Sequence, residues 1–270
     1  MTETCATENA GHPLGRVGDL TVRLAANSHE VRQAQRLRFR VFVDEMGASV
    51  PAQNRATGID EDAFDAFSRH LIVKRSADVV GTTRLLDRET AGRAGGFYSQ
   101  GEFDIAPLLS AYSGQPMLEP GRSCIAADHR NRRTAELLWH GIWSVALQDK
   151  SAVMFGCASL PDADAAAHAD RFALLAQSSL AAPALACDAT SGEAIALGDY
   201  ADRAVDTKRV FATLPPLLKG YLRLGANVSH QAVPDHAFNT TDLLVILDIA
   251  SINPRYLTHF GADAGRFRSR

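Results

Sequence analysis

The stretch MLEPGRSCIAADHRNRRTAELLWHGIW (Met117–Trp143) reads as a short strand running into an amphipathic helix, with Ala135, Leu138, Ile142, Val145 and Ala146 at helical spacing. Three arginines, Arg130, Arg132 and Arg133, crowd the join. That is the wrong end for cations, because the positive pole of the helix dipole disfavours each basic side chain in the first turn by roughly 0.3 to 1 kcal/mol. Two readings stand. The turn is either a solvated basic surface or a place where an anion docks on free backbone N–H groups and converts the repulsion into binding.

Working outward from this stretch, LTVRLA (Leu20–Ala25) alternates like a half-buried strand, and Ser28 is positioned to cap a following helix. That helix carries Val31, Ala34, Leu37, Val41 and Phe42 on one stripe and ends at Gly47. HLIVKR (His70–Arg75) and VVGTTRLL (Val79–Leu86) pair as a hairpin through Ser-Ala-Asp. Beyond a Gly-rich loop, the short apolar segment FDIAPLL leads into the opening stretch, and AVMFGCASL (Ala152–Leu160) is the next strand. Pro161–Leu180 reads as an Ala-rich helix, Leu214–Gly225 as a helix opened by Pro215 and Pro216, and DLLVILDI (Asp242–Ile249) as an apolar strand. This order predicts an α/β fold, a mixed central sheet flanked by helices.

Composition narrows the function classes. In 270 residues, 28 Lys and Arg stand against 31 Asp and Glu, so no global field recruits nucleic acid and any attraction to anions is local. Four widely separated cysteines, Cys5, Cys124, Cys157 and Cys187, make neither a zinc ribbon nor a redox pair and fit a reducing cytoplasm. The first residues lack the pattern of a signal peptide, and no apolar run approaches the roughly 18 residues needed to span a bilayer.

Several local patterns bear chemistry. The arginine turn is not a P-loop, since G-x-x-x-x-G-K-[ST] is absent. IDEDAFD places Asp60, Asp62 and Asp65 together, either as an exposed acidic loop or as a holder of a cation; EF-hand spacing fails. Asp162, Asp164, His168 and Asp170 read as a solvated face. Gly121-Arg122-Ser123-Cys124-Ile125 is not a nucleophile elbow, because Ile125 replaces the second glycine, and Cys124 reads as a buried small hydrophobe. Glu119 stands out: it is a carboxylate on an interior strand beside Pro120-Gly121, a pair that interrupts regular pairing and frees backbone groups of the kind an oxyanion site requires. An ion pair between Glu119 and an arginine is the alternative.

The series L-R-F-R-V-F (Leu37–Phe42), D-E-D-A-F-D (Asp60–Asp65), V-G-T-T-R-L-L (Val80–Leu86) and L-E-P-G-R-S (Leu118–Ser123) resembles the acyl-homoserine lactone synthases. Asp60 stands where that family has glutamate, and Ala48 where it has tryptophan. A closer resemblance is to the ornithine-lipid N-acyltransferases, or lyso-ornithine lipid synthases. It is carried by G-R-S-C-I, L-L-W-H-G-I, M-F-G-C-A-S (Met154–Ser159), P-P-L-L-K-G-Y-L-R-L-G-A (Pro215–Ala226), F-N-T-T-D (Phe238–Asp242) and P-R-Y-L-T-H-F (Pro254–Phe260). The arginine turn departs from the usual pyrophosphate loop of the fold by lacking its glycines, which favours acyl-carrier protein over acyl-CoA as donor.

The resemblance implies a GNAT-like (acyl-CoA N-acyltransferase) fold with a C-terminal extension: a flexible N-terminus over 1–19, an acyltransferase domain over 20–260 and a tail over 261–270. It implies transfer of a long, 3-hydroxylated fatty acyl group from acyl-carrier protein to the α-amine of L-ornithine, giving lyso-ornithine lipid; the alternatives are an N-acyl amino acid synthase with another acceptor, an enzyme like the acyl-homoserine lactone synthases, and a non-enzymatic module that binds acyl-carrier protein. The site residues it implies are Glu119 as proton acceptor with a raised pKa, beside Arg122 and Ser123. Arg38, Phe42, Asp62, Asp65, Arg84 and Asp242 are expected around the amino acid, and Arg130, Arg132 and Arg133 on the carrier protein and its phosphopantetheine phosphate. No metal or separate cofactor and no nucleic acid partner is expected. The expected location is cytoplasmic, with a lipid product that brings the enzyme into peripheral contact with the inner face of the membrane.

Overall fold

The computed structural model describes residues 11–190 and 192–252. Cys5, most of the N-terminal leader and the Pro254–Phe260 motif lie outside them. The described residues divide into two compact units, one formed by residues 11–94 and 120–150, the other by 95–119, 151–190 and 192–252.

In the first unit, strands β1 (Gly15–Val17), β2 (Leu20–Leu24), β3 (Arg69–Arg75) and β4 (Asp78–Asp87) pair antiparallel in chain order. β1 falls within the stretch read as a loose leader; its short ladder to β2 orders Gly15–Val17. Leu20, Val22 and Leu24 are buried, as the alternation of β2 requires. Helix α1 (Ser28–Phe39) follows, capped by Asn27 and not by Ser28: the Asn27 side chain accepts from the Glu30 N–H, so the helix begins one residue after the expected cap. A π-helical segment, Arg40–Glu45, continues it, and Gly47 at φ +78° closes the run where glycine was expected to. Helix α2 (Ala52–Thr57) leads to a single 3₁₀ turn, Ala63–Ala66. The β3–β4 link is two residues, Ser76 and Ala77, because Asp78 already pairs with Arg75; Ser76 sits at φ +55°, as tight hairpins demand. Helix α3 (Arg88–Ala94) forms where only a Gly-rich loop was anticipated.

The chain enters the second unit with helix α4 (Ala106–Ala111) and the start of strand β5 (Met117–Ile125). From Pro120 onward β5 belongs to the first unit, where helix α5 (Arg132–Gln148) packs on β1, β2 and β3. Gly141 permits this close approach: a Cβ there would stand 2.5 Å from Val22 Cγ2 and 2.8 Å from Leu71 Cδ2. Leu137, Leu138, Ile142, Trp143, Val145 and Ala146 fill the interface from the helix side.

The second unit continues with β6 (Val153–Pro161), α6 (Ala169–Ser178), β7 (Ile195–Ala196), α7 (Thr207–Thr213), α8 (Pro216–Arg223), β8 (Asn227–Asp235) and β9 (Thr240–Asp248). β5 pairs parallel with β6 at Met117 and Leu118; β6, β9, β8 and β7 then pair antiparallel in that order, so the sheet is mixed. Leu243–Leu247 of β9 are buried throughout, which accounts for the unbroken apolar run. The single helix expected over Pro161–Leu180 is broken instead. Asp162 adopts φ +96°, the Asp164 side chain caps a 3₁₀ turn at Ala165–His168, and α6 begins only at Ala169. His168, expected on a solvated face, is fully buried; its ring bonds the Asp162 carbonyl and Arg171, while the three aspartates stay exposed.

Candidate active site

The acidic segment of the sequence closes onto arginines from three other elements. In the 3₁₀ turn Ala63–Ala66, Asp62 Oδ1 accepts from Phe64 N at 2.9 Å and Asp65 Oδ2 accepts from Asp62 N at 2.9 Å, a reciprocal cap that fixes both carboxylates. Arg38 of α1 meets them as a fork. Its Nε donates to Asp60 Oδ2 at 2.7 Å, Nη1 and Nη2 donate to Asp65 at 2.7 and 2.9 Å, and Nη2 also reaches the Asp60 carbonyl oxygen. Arg84 of β4 donates to Asp62 at 2.5 Å and to Asp65 at 3.4 Å. Arg122 of β5 stands 3.6 Å from Asp62 and 3.9 Å from Asp60. Three carboxylates and three guanidinium groups thus balance.

Burial works to raise the Asp65 carboxyl, but the bidentate bonds and charge of Arg38, joined by Arg84, outweigh it and hold the group well below the usual carboxylate range. Burial likewise works against the Arg38 charge, and Asp65 and Asp60 more than restore it. His70, cross-strand from Arg84 and 3.6 Å from Asp65, was not singled out in the sequence; burial first, then the two arginines, push its pKa down despite Asp65, so it stays neutral. Exposure divides the network. The Arg38 side chain is 1% accessible, whereas Asp62 and Arg122 are 27% and 14% accessible and form its open edge. Arg122 also holds φ +51°, a conformation costly for a residue with a Cβ and often found where a side chain is aimed for function.

Glu119 is buried in the second unit and is fixed by the turn Tyr98–Gly101. The free N–H groups that open that turn bind it: Tyr98 N donates to Oε2 at 2.8 Å and Ser99 N to Oε1 at 2.7 Å, and the Ser99 hydroxyl donates to Oε1 as well. Nothing in the sequence spacing marks Ser99 as this partner. Ser99 also receives a contact from the Cys157 thiol at 3.6 Å. Beside it, Glu102, Cys157 and Asp242 bring a ligand atom each within 4.8 Å of one another, and Thr240 Oγ1 donates to Asp242 at 3.0 Å. Burial, reinforced by the surrounding carboxylates, keeps the Cys157 thiol protonated. Asp242 therefore belongs to this second group.

Ser123 shares a 2.7 Å hydroxyl contact with Thr83, which also donates to the Gly121 carbonyl at 3.1 Å, so β4 side chains organise the Pro-Gly break. Phe42 lies in the π-helical segment and packs against a cluster that includes Leu37, Ile72 and Cys124. Burial pushes the Cys124 thiol up to about 12, in keeping with its reading as a small hydrophobe.

At the helix join, Asn131 is the N-cap of α5, accepting from Thr134 N at 3.1 Å, so Arg130 lies outside the helix proper. Arg130 pairs with Glu45 and donates to the Ile125 carbonyl; Arg132 pairs with Glu136 one turn on at 2.8 Å. These carboxylates offset the dipole penalty. Arg133 is exposed near Gly18. A cavity of about 670 Å³ in the same unit is lined by Gln33, Arg36, Arg40, Val80, Ala126 and His129.

Residues 37–140, which span the Asp–Arg network, Glu119 and the arginine turn, match the family model described as Acetyltransferase (GNAT) domain. With the mixed sheet and its flanking helices, this makes the chain an acyltransferase of the GNAT class. The L-ornithine N(alpha)-acyltransferase of Agrobacterium fabrum is 42% identical over 275 residues, covering 97% of this chain and 91% of that one. Those of Rhizobium meliloti and Brucella abortus are 42% and 41% identical, covering 96% and 94% of this chain and 90% and 93% of theirs. The chain belongs to the L-ornithine N(alpha)-acyltransferase family. A solved CoA-dependent acyl-homoserine lactone synthase aligns with a TM-score of 0.47 and 16% identity over 88% of this chain and 83% of that one. Among the described residues, no helix is long and apolar enough to cross a membrane.

Proposed function

We propose that the protein transfers a long, 3-hydroxylated fatty acyl group from acyl-carrier protein to the α-amine of L-ornithine, forming lyso-ornithine lipid. The observation that carries the acceptor is the 42% identity, over nearly the whole of both chains, to relatives named for ornithine N(alpha)-acylation. In this reading Glu119, held by Tyr98 and Ser99, takes the proton that the ammonium must lose, directly or through water. The amine nitrogen then bonds to the thioester carbonyl carbon. Backbone N–H groups in the Pro120–Ser123 break, with Ser123 and Arg122 alongside, stabilise the oxyanion; as the adduct collapses and the C–S bond breaks, the extra proton on the adduct nitrogen passes to the leaving sulfur, giving the amide and the phosphopantetheine thiol.

Asp62 and Arg122, the open edge of the network, meet the ammonium and carboxylate of the amino acid, while Arg38, Asp65 and Arg84 hold that edge in place and Phe42 backs it. Asp242 is a second carboxylate available to a cationic group. Arg130, Arg132 and Arg133 receive the acidic carrier protein and its phosphate, exchanging the Glu45 and Glu136 partners for it. No metal or separate cofactor takes part, and the enzyme works on the cytoplasmic side, in peripheral contact with the membrane that takes up its product.

The test is a matrix of donors and acceptors with purified protein. Acyl-carrier-protein thioester with ornithine is expected to give the highest kcat/KM. Equal use of acyl-CoA removes the donor assignment, and equal use of glycine or lysine makes the protein a general N-acyl amino acid synthase.

A further inference from the structure

Of the donors named above on Glu119, two belong to the main chain. The 3₁₀ turn Tyr98–Gly101 opens with Phe97 N donating to Gln100 Oε1 at 2.7 Å, Tyr98 N to Glu119 Oε2 and Ser99 N to Glu119 Oε1, so these N–H groups stay aimed at the carboxylate for as long as the turn exists. The third donor, the Ser99 hydroxyl, is different because it rotates. Ser99 is fully buried, so bulk solvent does not compete for its proton.

A hydroxyl has a single proton, and a carboxylate can only accept. The bond to Glu119 Oε1 therefore takes up the Ser99 proton, and Ser99 Oγ accepts from its other contact, the Cys157 thiol 3.6 Å away on β6. That arrangement needs the thiol to keep its own proton. Burial first, then the negative charges of Glu102 and Asp242, hold it in that form. The direction of donation is thus set along the row, from Cys157 to Ser99 and from Ser99 to Glu119, and all three residues lie in the second unit. Each donor on a carboxylate favours the charged form over the acid. The hydroxyl's share is separable, because the two main-chain donors survive its removal.

We propose that Ser99 is a positioning residue whose hydroxyl sets the ionisation of Glu119, and that Cys157 acts at one remove by orienting that hydroxyl. A proton acceptor works only as the carboxylate, so the pair extends toward acid the pH range in which Glu119 is competent. The consequence for rate rests on the reading of Glu119 as the proton acceptor; the effect on its ionisation does not.

The test titrates Glu119 directly. The full chain is made with glutamate carrying carbon-13 at the side-chain carboxyl, and the Glu119 resonance is assigned by its loss in Glu119→Gln. Ser99→Ala should raise the midpoint of that resonance by about one to two pH units, the scale of one hydrogen bond to a charged group. Cys157→Ala should raise it by less, and Ser99→Ala/Cys157→Ala should match Ser99→Ala alone, because the thiol acts through the hydroxyl. Ser99→Cys, a weaker donor of similar size, should fall between wild type and Ser99→Ala, and it carries the test if the alanine variant does not fold. The acidic limb of the pH–rate profile for acyl transfer should move with the midpoint. A structural role alone would lower Tm and leave the midpoint in place. An unmoved midpoint in the Ser99 variants overturns the proposal, and fully additive shifts in the double variant overturn the part given to Cys157. A midpoint that moves as expected, with an acidic limb that survives in Glu119→Gln, would sink Glu119 as the proton acceptor and leave the control of its ionisation standing.

Discussion

Glu119 is the residue on which the proposed chemistry turns, and its surroundings set how its test is read. Both oxygens accept from backbone N–H groups, so Glu119→Gln places an amide NH₂ against a buried donor and is expected to cost about 1–3 kcal/mol of stability. If Glu119 is also the proton acceptor, kcat falls by about 10² to 10⁴ and the acidic limb of the pH–rate profile disappears. A lower melting temperature with an intact profile assigns it to structure alone. The aspartates separate in the same way. Asp65→Asn breaks a buried pair with Arg38 and should cost about 3–5 kcal/mol, seen as a fall in Tm. Asp62→Asn, at the open edge but still capping the turn and facing buried Arg84, should lower Tm less than Asp65→Asn does and raise KM for the amino acid; an unchanged KM with a fall in Tm would place substrate recognition elsewhere. Proximity in the sequence made Asp60, Asp62 and Asp65 visible as a group. Arg38, Arg84 and Arg122 come from three separate elements, and only resemblance to known families joined them to it. His70 and Ser99 carried no signal, since one is an alternating strand position and the other a loop serine.

At the scale of elements, Glu30 of α1 ties together β2, β3 and its own helix start by accepting from Arg23, Lys74 at 2.9 Å and Ala26 N at 2.9 Å. The hydrogen bonds of Arg23, opposed by burial and aided by Ala26 and Lys74, hold its carboxyl down to about 2 from an ordinary 4.5. A depressed folded-state pKa contributes stability that is fully present above 4.5 and lost as pH falls toward 2. Urea unfolding across that window should therefore show a slope that Glu30→Gln reduces, by on the order of 2 kcal/mol over the whole span; an unchanged slope would mean the pair persists unfolded or contributes nothing. The α5 start gives a kinetic test. Replacing Arg130, Arg132 and Arg133 by Gln loses two surface pairs worth about 0–1 kcal/mol each and relieves a comparable dipole penalty, so Tm should hardly move. The dependence of kcat/KM on ionic strength with acyl-acyl-carrier protein should flatten sharply. Unaltered rates at every salt concentration would make the turn a solvated surface. Elements with clean periodicity, β2, α5 and β9, were legible in the sequence. β8 was not, because a bulge between Val228 and Ala232 destroys its alternation, with Ser229 Oγ accepting from Leu244 N at 3.1 Å.

For the whole molecule, the sequence order of strands and helices was enough to predict a mixed sheet with flanking helices, since crossover segments and hairpins impose that class. It did not show that the chain forms two compact units, with Glu119 counted in one and the Asp–Arg network in the other, because a boundary inside a strand leaves no linker to read. The account as a whole rests on one product. Lipids extracted from cells expressing this chain, compared with cells carrying Glu119→Gln and with cells lacking the gene, are to be resolved by mass spectrometry. The account predicts N-acylated ornithine with a 3-hydroxy fatty acyl chain in the first sample and its near absence in the other two. Acylated forms of another amino acid in place of ornithine, or no new acyl-amine at all, would contradict it.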